Sequence, residues 1–91
     1  MTPEVRQLAE KYVWWQPPEQ AVQRRDLLLC QLMQLGAWDD VCLARRLFGD
    51  EAFKQALKDA PPGVLDRRSW IYWNRFYGRV PVPPPPERPL P

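Results

Sequence analysis

Helix-breaking residues divide this chain into lengths that each suit one short helix and nothing longer. Pro17-Pro18, Gly36, Gly49, Pro61-Pro62-Gly63 and Gly78 recur along it, and proline and glycine are the strongest local terminators of a helix. Between them apolar residues recur at helical spacing, and no stretch alternates with the period of two that marks a strand. The chain is therefore expected to be all-α: a compact bundle of about five short helices over residues 1–79, with a proline-rich extended tail over 80–91.

Each length carries its own start and stop. Thr2, Pro3 and Glu4 open a helix to about Tyr12 with a cap, a preset φ and a carboxylate at the positive helix end. Pro17 and Pro18 forbid its continuation, and Pro18-Glu19 can begin a short helical turn. A helix from near Arg25 to Leu35 ends at Gly36. Leu28, Leu29, Leu32, Met33 and Leu35 cover nearly half its circumference, with Leu27 and Cys30 outside that arc, so it is expected to be central. Another runs from about Trp38 to Phe48, with Asp39 and Asp40 in its first turn, Arg45 and Arg46 in its last, and Gly49 as its stop. Asp50 is expected to cap the next, "EAFKQALKDA", which carries Ala52, Phe53, Ala56, Leu57 and Ala60 on one face. Asp66 caps the last helix, Arg67 to Tyr77, which stops at Gly78.

The side-chain inventory argues against catalysis. The chain has no histidine, one serine (Ser69), one threonine (Thr2) and one asparagine (Asn74), so a histidine-activated nucleophile cannot be assembled. The carboxylate pairs Asp39-Asp40 and Asp50-Glu51 sit at helix N-termini, where capping explains them. Cys30 and Cys42 lack ligand spacing and are expected to be free buried thiols. Single glycines at helix ends make no phosphate-cradling loop. No cofactor and no metal is expected. The N-terminus has no apolar signal segment and no apolar run approaches membrane-spanning length, so a cytoplasmic location away from membranes is the expectation.

Binding surfaces remain. The net charge is only +2, yet Arg67, Arg68, Arg75 and Arg79 against Asp66 concentrate positive charge at one end of the chain. "SWIYWNRFYG" (69–78) adds five rings there. Helical phase places Trp70, Trp73, Phe76 and Tyr77 within an arc of ~120°, which reads as core. Tyr72 falls on a neighbouring face with Arg68 and Arg75, and Arg79 would extend that line if the helix continued. A phenol among guanidiniums suits a protein interface, and equally a solvated basic face or phosphate contacts. Of the adjacent Trp14 and Trp15, one is expected to plug the bundle and the other, Trp15 in the contact reading, to meet the tail or a partner. The tail offers P-x-x-P spacings, Pro83 to Pro86 and Pro86 to Pro89, with Glu87 and Arg88. Such a segment can dock in an aromatic groove, this chain's own tryptophans included, or remain undocked.

A DNA- or RNA-binding regulator is the alternative. The Gly49-Asp50 turn is compatible with a helix-turn-helix, but the helix after it balances Lys54 and Lys58 against Glu51 and Asp59. The last helix has the better groups for nucleic acid, in Arg67, Arg68, Asn74 and Arg75.

The runs "MQLGAWDDVCLARRLFGDEAF" and "LKDAPPGVLDRRSWIYW", with "WWQPPEQAV" upstream, resemble a family of small bacterial helical proteins. Shared are the Leu-Gly before a Trp-Asp-Asp-Val helix start, the Gly-Asp-Glu-Ala turn and the Arg-Ser-Trp-x-x-Trp-like last helix. Genes of that family often neighbour toxins of the abortive-infection nucleotidyltransferase type. The resemblance implies an antitoxin or accessory role, and a neighbouring toxin as partner, but carries over no functional residue. Together these readings lead to a non-catalytic protein-binding module, with Arg68, Tyr72, Arg75 and Arg79 as one contact face and Trp15 and the tail as another.

Overall fold

The first helix, α1 (Pro3–Tyr12), starts where Thr2 lies in extended conformation and its Oγ1 accepts the Val5 N–H at 3.2 Å. The computed structural model describes residues 2–86 of the chain, and among them there are six helices and no strand. The sixth helix beyond the five expected is α2 (Pro18–Ala21). There the Pro17 carbonyl accepts from both the Gln20 and Ala21 N–H groups at 2.9 Å, completing the turn that Pro18 begins.

The centre of the molecule is α3 (Arg25–Leu35). Every residue from Leu27 to Met33 is buried, because α1, α4, α5 and α6 all pack around it. An all-round apolar sequence can lose its water only in such a position. Its one buried polar side chain, Gln31, donates to the Tyr12 carbonyl at 3.0 Å, so no amide donor is stranded there. Leu35, assigned to the buried arc from phase, instead projects into solvent at the last turn.

Two helices follow, α4 (Trp38–Phe48) and α5 (Asp50–Lys58). Gly49 joins them at φ +88°, a region where a Cβ is strained, so glycine is required at this turn. Asp50 does not cap α5 as the sequence suggests. It is the first helical residue, and its carboxylate turns away to other partners. Phe53, Ala56 and Leu57 are wholly buried against α3, and the small alanine lets the Cys30 thiol reach the Ala56 carbonyl at 3.5 Å. Burial pushes the Cys30 pKa up to about 12, which keeps it a neutral, unreactive core residue. Cys42 is only half-buried, because it lies beside rather than on the inward stripe of Val41 and Ala44.

The last helix, α6 (Arg67–Phe76), opens on Asp66, whose carboxylate accepts the Ser69 N–H at 2.8 Å. Gln34 of α3 holds the same residue from both sides, accepting its backbone N–H at 2.9 Å and donating to its carboxylate at 3.0 Å. The radius of gyration, 12.9 Å, is close to the ~12 Å expected of a compact chain of this length. Among the described residues no helix is long and apolar enough to cross a membrane.

Two charged clusters fasten helices together. Asp40 of α4 takes hydrogen bonds from Lys11 at 2.7 Å and the Tyr12 hydroxyl at 2.6 Å, both from α1. Asp50 takes them from Arg45 at 2.8 Å and the Tyr77 hydroxyl at 2.9 Å. The Lys11 and Tyr12 donors hold the Asp40 carboxyl below its ordinary range, and Arg45 and Tyr77 do the same to Asp50. Burial, then Asp50, raises the Tyr77 phenol; burial, then Asp40, raises Tyr12.

A depressed carboxylate contributes stability above its unfolded pKa and loses it as pH falls through the folded one. A raised phenol or thiol contributes below its unfolded pKa and loses it as pH rises. Asp26, raised by burial and Asp59, works against the acid limb and flattens it. Stability should therefore hold across neutral pH, soften below about pH 4 and fall more steeply above about pH 9, where the unfolded thiol and then the phenols ionise. Thermal melts across that range check this. A melting temperature that keeps rising into the alkaline limb contradicts it.

Candidate partner-binding face

On α6, Arg68 and Arg75 are exposed and Tyr72 is 51% exposed, all along one flank. The spacing of these residues expected from helical phase is realised. Among the described residues, none of Arg67, Arg68 and Arg75 forms a salt bridge with a carboxylate. Arg67 and Arg68 also occupy the first turn of a helix that has no acidic residue there. The positive end of the helix dipole disfavours cations at that place by about 0.3–1 kcal/mol each. Against this, Arg68 has only the attraction of the exposed Asp66 carboxylate.

Tyr72 forms the ridge between two grooves. One, of about 330 Å³, has the buried Met33, Val41 and Trp73 among its lining, with Trp38, Tyr72 and Arg68 at its edges. Gly36 is part of its lining, and glycine is needed there because a Cβ would collide with the Leu32 carbonyl oxygen and crowd Val41. The second, of about 450 Å³, lies among Arg68, Ile71, Tyr72, Arg75 and Phe76.

The rings along this surface are held in place by one another. Tyr72 sets its edge on Trp73, with centroids 5.2 Å apart, and stacks near Phe76 at 6.2 Å. Arg45 covers Phe76 at 5.0 Å while bonded to Asp50. A partner meeting these rings would have little side-chain freedom left to remove.

Several expected site residues stand elsewhere. Arg79 does not extend the line, because α6 ends at Phe76 and the chain reverses at Gly78, φ +76°. Arg79 is half-buried, and one of its terminal nitrogens is enclosed. Asn74 is 0% exposed rather than available to a nucleic-acid base. Its amide donates back to the Trp70 carbonyl at 2.7 Å, and the returning chain seals it, with the Arg79 N–H on the Asn74 carbonyl at 2.8 Å. Neither Trp14 nor Trp15 plugs the bundle. They are 64% and 49% exposed and meet edge to face at 4.9 Å, because Tyr12 and Val13 fill the inward positions ahead of them. Phe76, assigned to the core stripe, is 41% exposed.

Trp38, half-exposed at the start of α4, belongs to the face and was not singled out from the sequence. Its signal is phase: Val41, Ala44 and Phe48 define the inward arc of α4, and Trp38 lies about 90° from its centre. Among the described residues no three acidic or cysteine side chains gather as a metal site would require. No protein-family model, curated protein or solved structure matches the chain.

Proposed function

We propose that this chain is a protein-binding module whose contact face is Arg68, Tyr72 and Arg75, joined by Trp38 and Phe76. The observation that carries this reading is the pair of exposed arginines, without a salt bridge among the described residues, that bracket a half-exposed tyrosine between two grooves. Arginine and tyrosine are the residues that concentrate energy at protein interfaces, because each offers much contact for little ordering cost. The partner that fits is a protein with an acidic surface and an apolar side chain to seat beside Trp38. The exposed Trp14–Trp15 pair is a second candidate surface, with Trp15 as its contact residue. The sequence resemblance gives the partner a more definite form, a nucleotidyltransferase-type toxin encoded nearby, with this chain as its antitoxin or accessory protein.

Co-expression with the product of the adjacent gene tests this. The expected result is co-purification and relief of that protein's toxicity, and absence of both sinks the antitoxin form. Nucleic acid is the rival ligand of the same arginines, but the burial of Asn74 removes the one side-chain amide of α6 and leaves the arginines alone to make contact there. Titration with duplex DNA and with RNA at rising salt separates the two. Phosphate contacts require tight binding at low salt that falls steeply, and no binding at low salt is expected here.

A further inference from the structure

A different flank of α6 is already occupied by the chain's own tail. Beyond the reversal at Gly78, Val82 packs against the core, and the Pro83 carbonyl accepts the Trp70 indole N–H at 2.8 Å. Arg67, Trp70 and Ile71 face Val82 to Pro85 across a space of about 210 Å³. Of the remaining P-x-x-P spacing, Pro86 to Pro89, the part after Pro86, with Glu87 and Arg88, lies outside the described residues.

Each side of this contact supplies what the other lacks. Consecutive prolines have fixed φ and no N–H, so their carbonyls find no partner within the segment and need a donor from outside. A buried indole N–H needs an acceptor, and Trp70 is 4% exposed. A donor set in an apolar wall beside a narrow space is the chemistry by which aromatic grooves receive polyproline segments. Nothing in the contact depends on the covalent link between helix and tail.

We propose that the Arg67–Trp70–Ile71 flank of α6 is a recognition site for proline-rich segments, filled in cis by Val82 to Pro85. A proline-rich peptide from another chain takes the same seat when the tail is withdrawn. The tether keeps the tail at millimolar effective concentration, so the intact protein resists exchange. This site shares neither Tyr72 nor Arg75 with the contact face, so either can fail without the other.

The test follows the indole N–H signals of the full chain by NMR hydrogen exchange. Only Trp70 and Trp73 have acceptors among the described residues, so those two should exchange slowly. In a full-length Pro83→Ser/Pro84→Ser/Pro85→Ser variant, Trp70 protection should fall by on the order of tenfold while Trp73 reports an intact fold. A synthetic peptide of residues 80–91, added at millimolar concentration, should restore Trp70 in the variant, and a glycine-serine peptide of equal length should not. Should Trp73 protection also fall, the milder Pro84→Ser/Pro85→Ser variant carries the same titration. The proposal is overturned if wild-type Trp70 exchanges as fast as the exposed tryptophans, if the proline peptide restores nothing, or if the control peptide works equally well.

Discussion

Trp73→Ala should remove a large share of the protein's stability and move its unfolding midpoint far below that of wild type. Trp73 is 4% exposed and packs beside Phe53 of α5 at 6.3 Å and Tyr77 at 6.1 Å between centroids. Its indole N–H donates to the Met33 carbonyl at 3.0 Å. That carbonyl lies in the last turn of α3, where a helix leaves its C=O groups without internal partners. Removing a buried tryptophan costs roughly 3–5 kcal/mol, against a total of about 5–15 kcal/mol for a small domain.

Trp73→Phe separates the two contributions. It keeps most of the ring packing and strands the Met33 carbonyl, at a cost of about 1–3 kcal/mol. Urea titrations followed by circular dichroism should therefore rank wild type above Trp73→Phe and Trp73→Phe well above Trp73→Ala. If Trp73→Ala unfolds within ~1 kcal/mol of wild type, the core described above is wrong, since a side chain so placed cannot be removed so lightly.

Helix positions were legible in the sequence because the signals that set them are local. Thr2 and Asp66 cap as their type and position suggest, and Gly49 and Gly78 stop helices at positive φ. The centrality of α3 was legible for the same reason, since its apolar circumference has no other means of leaving water. The side chains that decide the site were harder, and each miss has a tertiary cause. Phase alone centred the buried arc of α6 on Trp73, with Phe76 at one edge and Trp70 at the other, whereas in the fold, where the tail returns over Asn74, the arc lies toward Trp70 and Asn74 and Phe76 is left at the surface. The polarity of Asn74 pointed outward, but a back-bond to the Trp70 carbonyl satisfies its NH2 group and lets it be buried, although its Oδ1 is left without a partner among the described residues. Trp14 and Trp15 stay outside because Tyr12 and Val13 precede them into the core. Asp50 reads as a cap from sequence because the attraction of Arg45 and Tyr77 requires the folded arrangement.

Reversing the charge of Arg68 and Arg75 should abolish partner binding while leaving the fold intact. Arg68 stands in the first turn of α6 and Arg75 in the last, so glutamate at each changes the dipole interaction in opposite senses. Arg68→Glu gains about 0.3–1 kcal/mol and Arg75→Glu loses a similar amount. The melting temperature of the double variant should stay within about 5 °C of wild type. At an interface the two effects no longer cancel. Each arginine of the central kind contributes about 2 kcal/mol or more, and reversal adds repulsion from an acidic partner, so affinity for the co-purifying protein should fall at least ~100-fold. Arg67→Glu is the control. It receives the same helix-end benefit and the same change in net charge per substitution, but it lies on the tail flank of α6. If Arg67→Glu weakens binding as much as Arg68→Glu does, overall charge rather than a defined face governs association. If the double variant binds with unchanged affinity, the face around Tyr72 is not the contact surface, and the exposed Trp14–Trp15 pair becomes the surface to test.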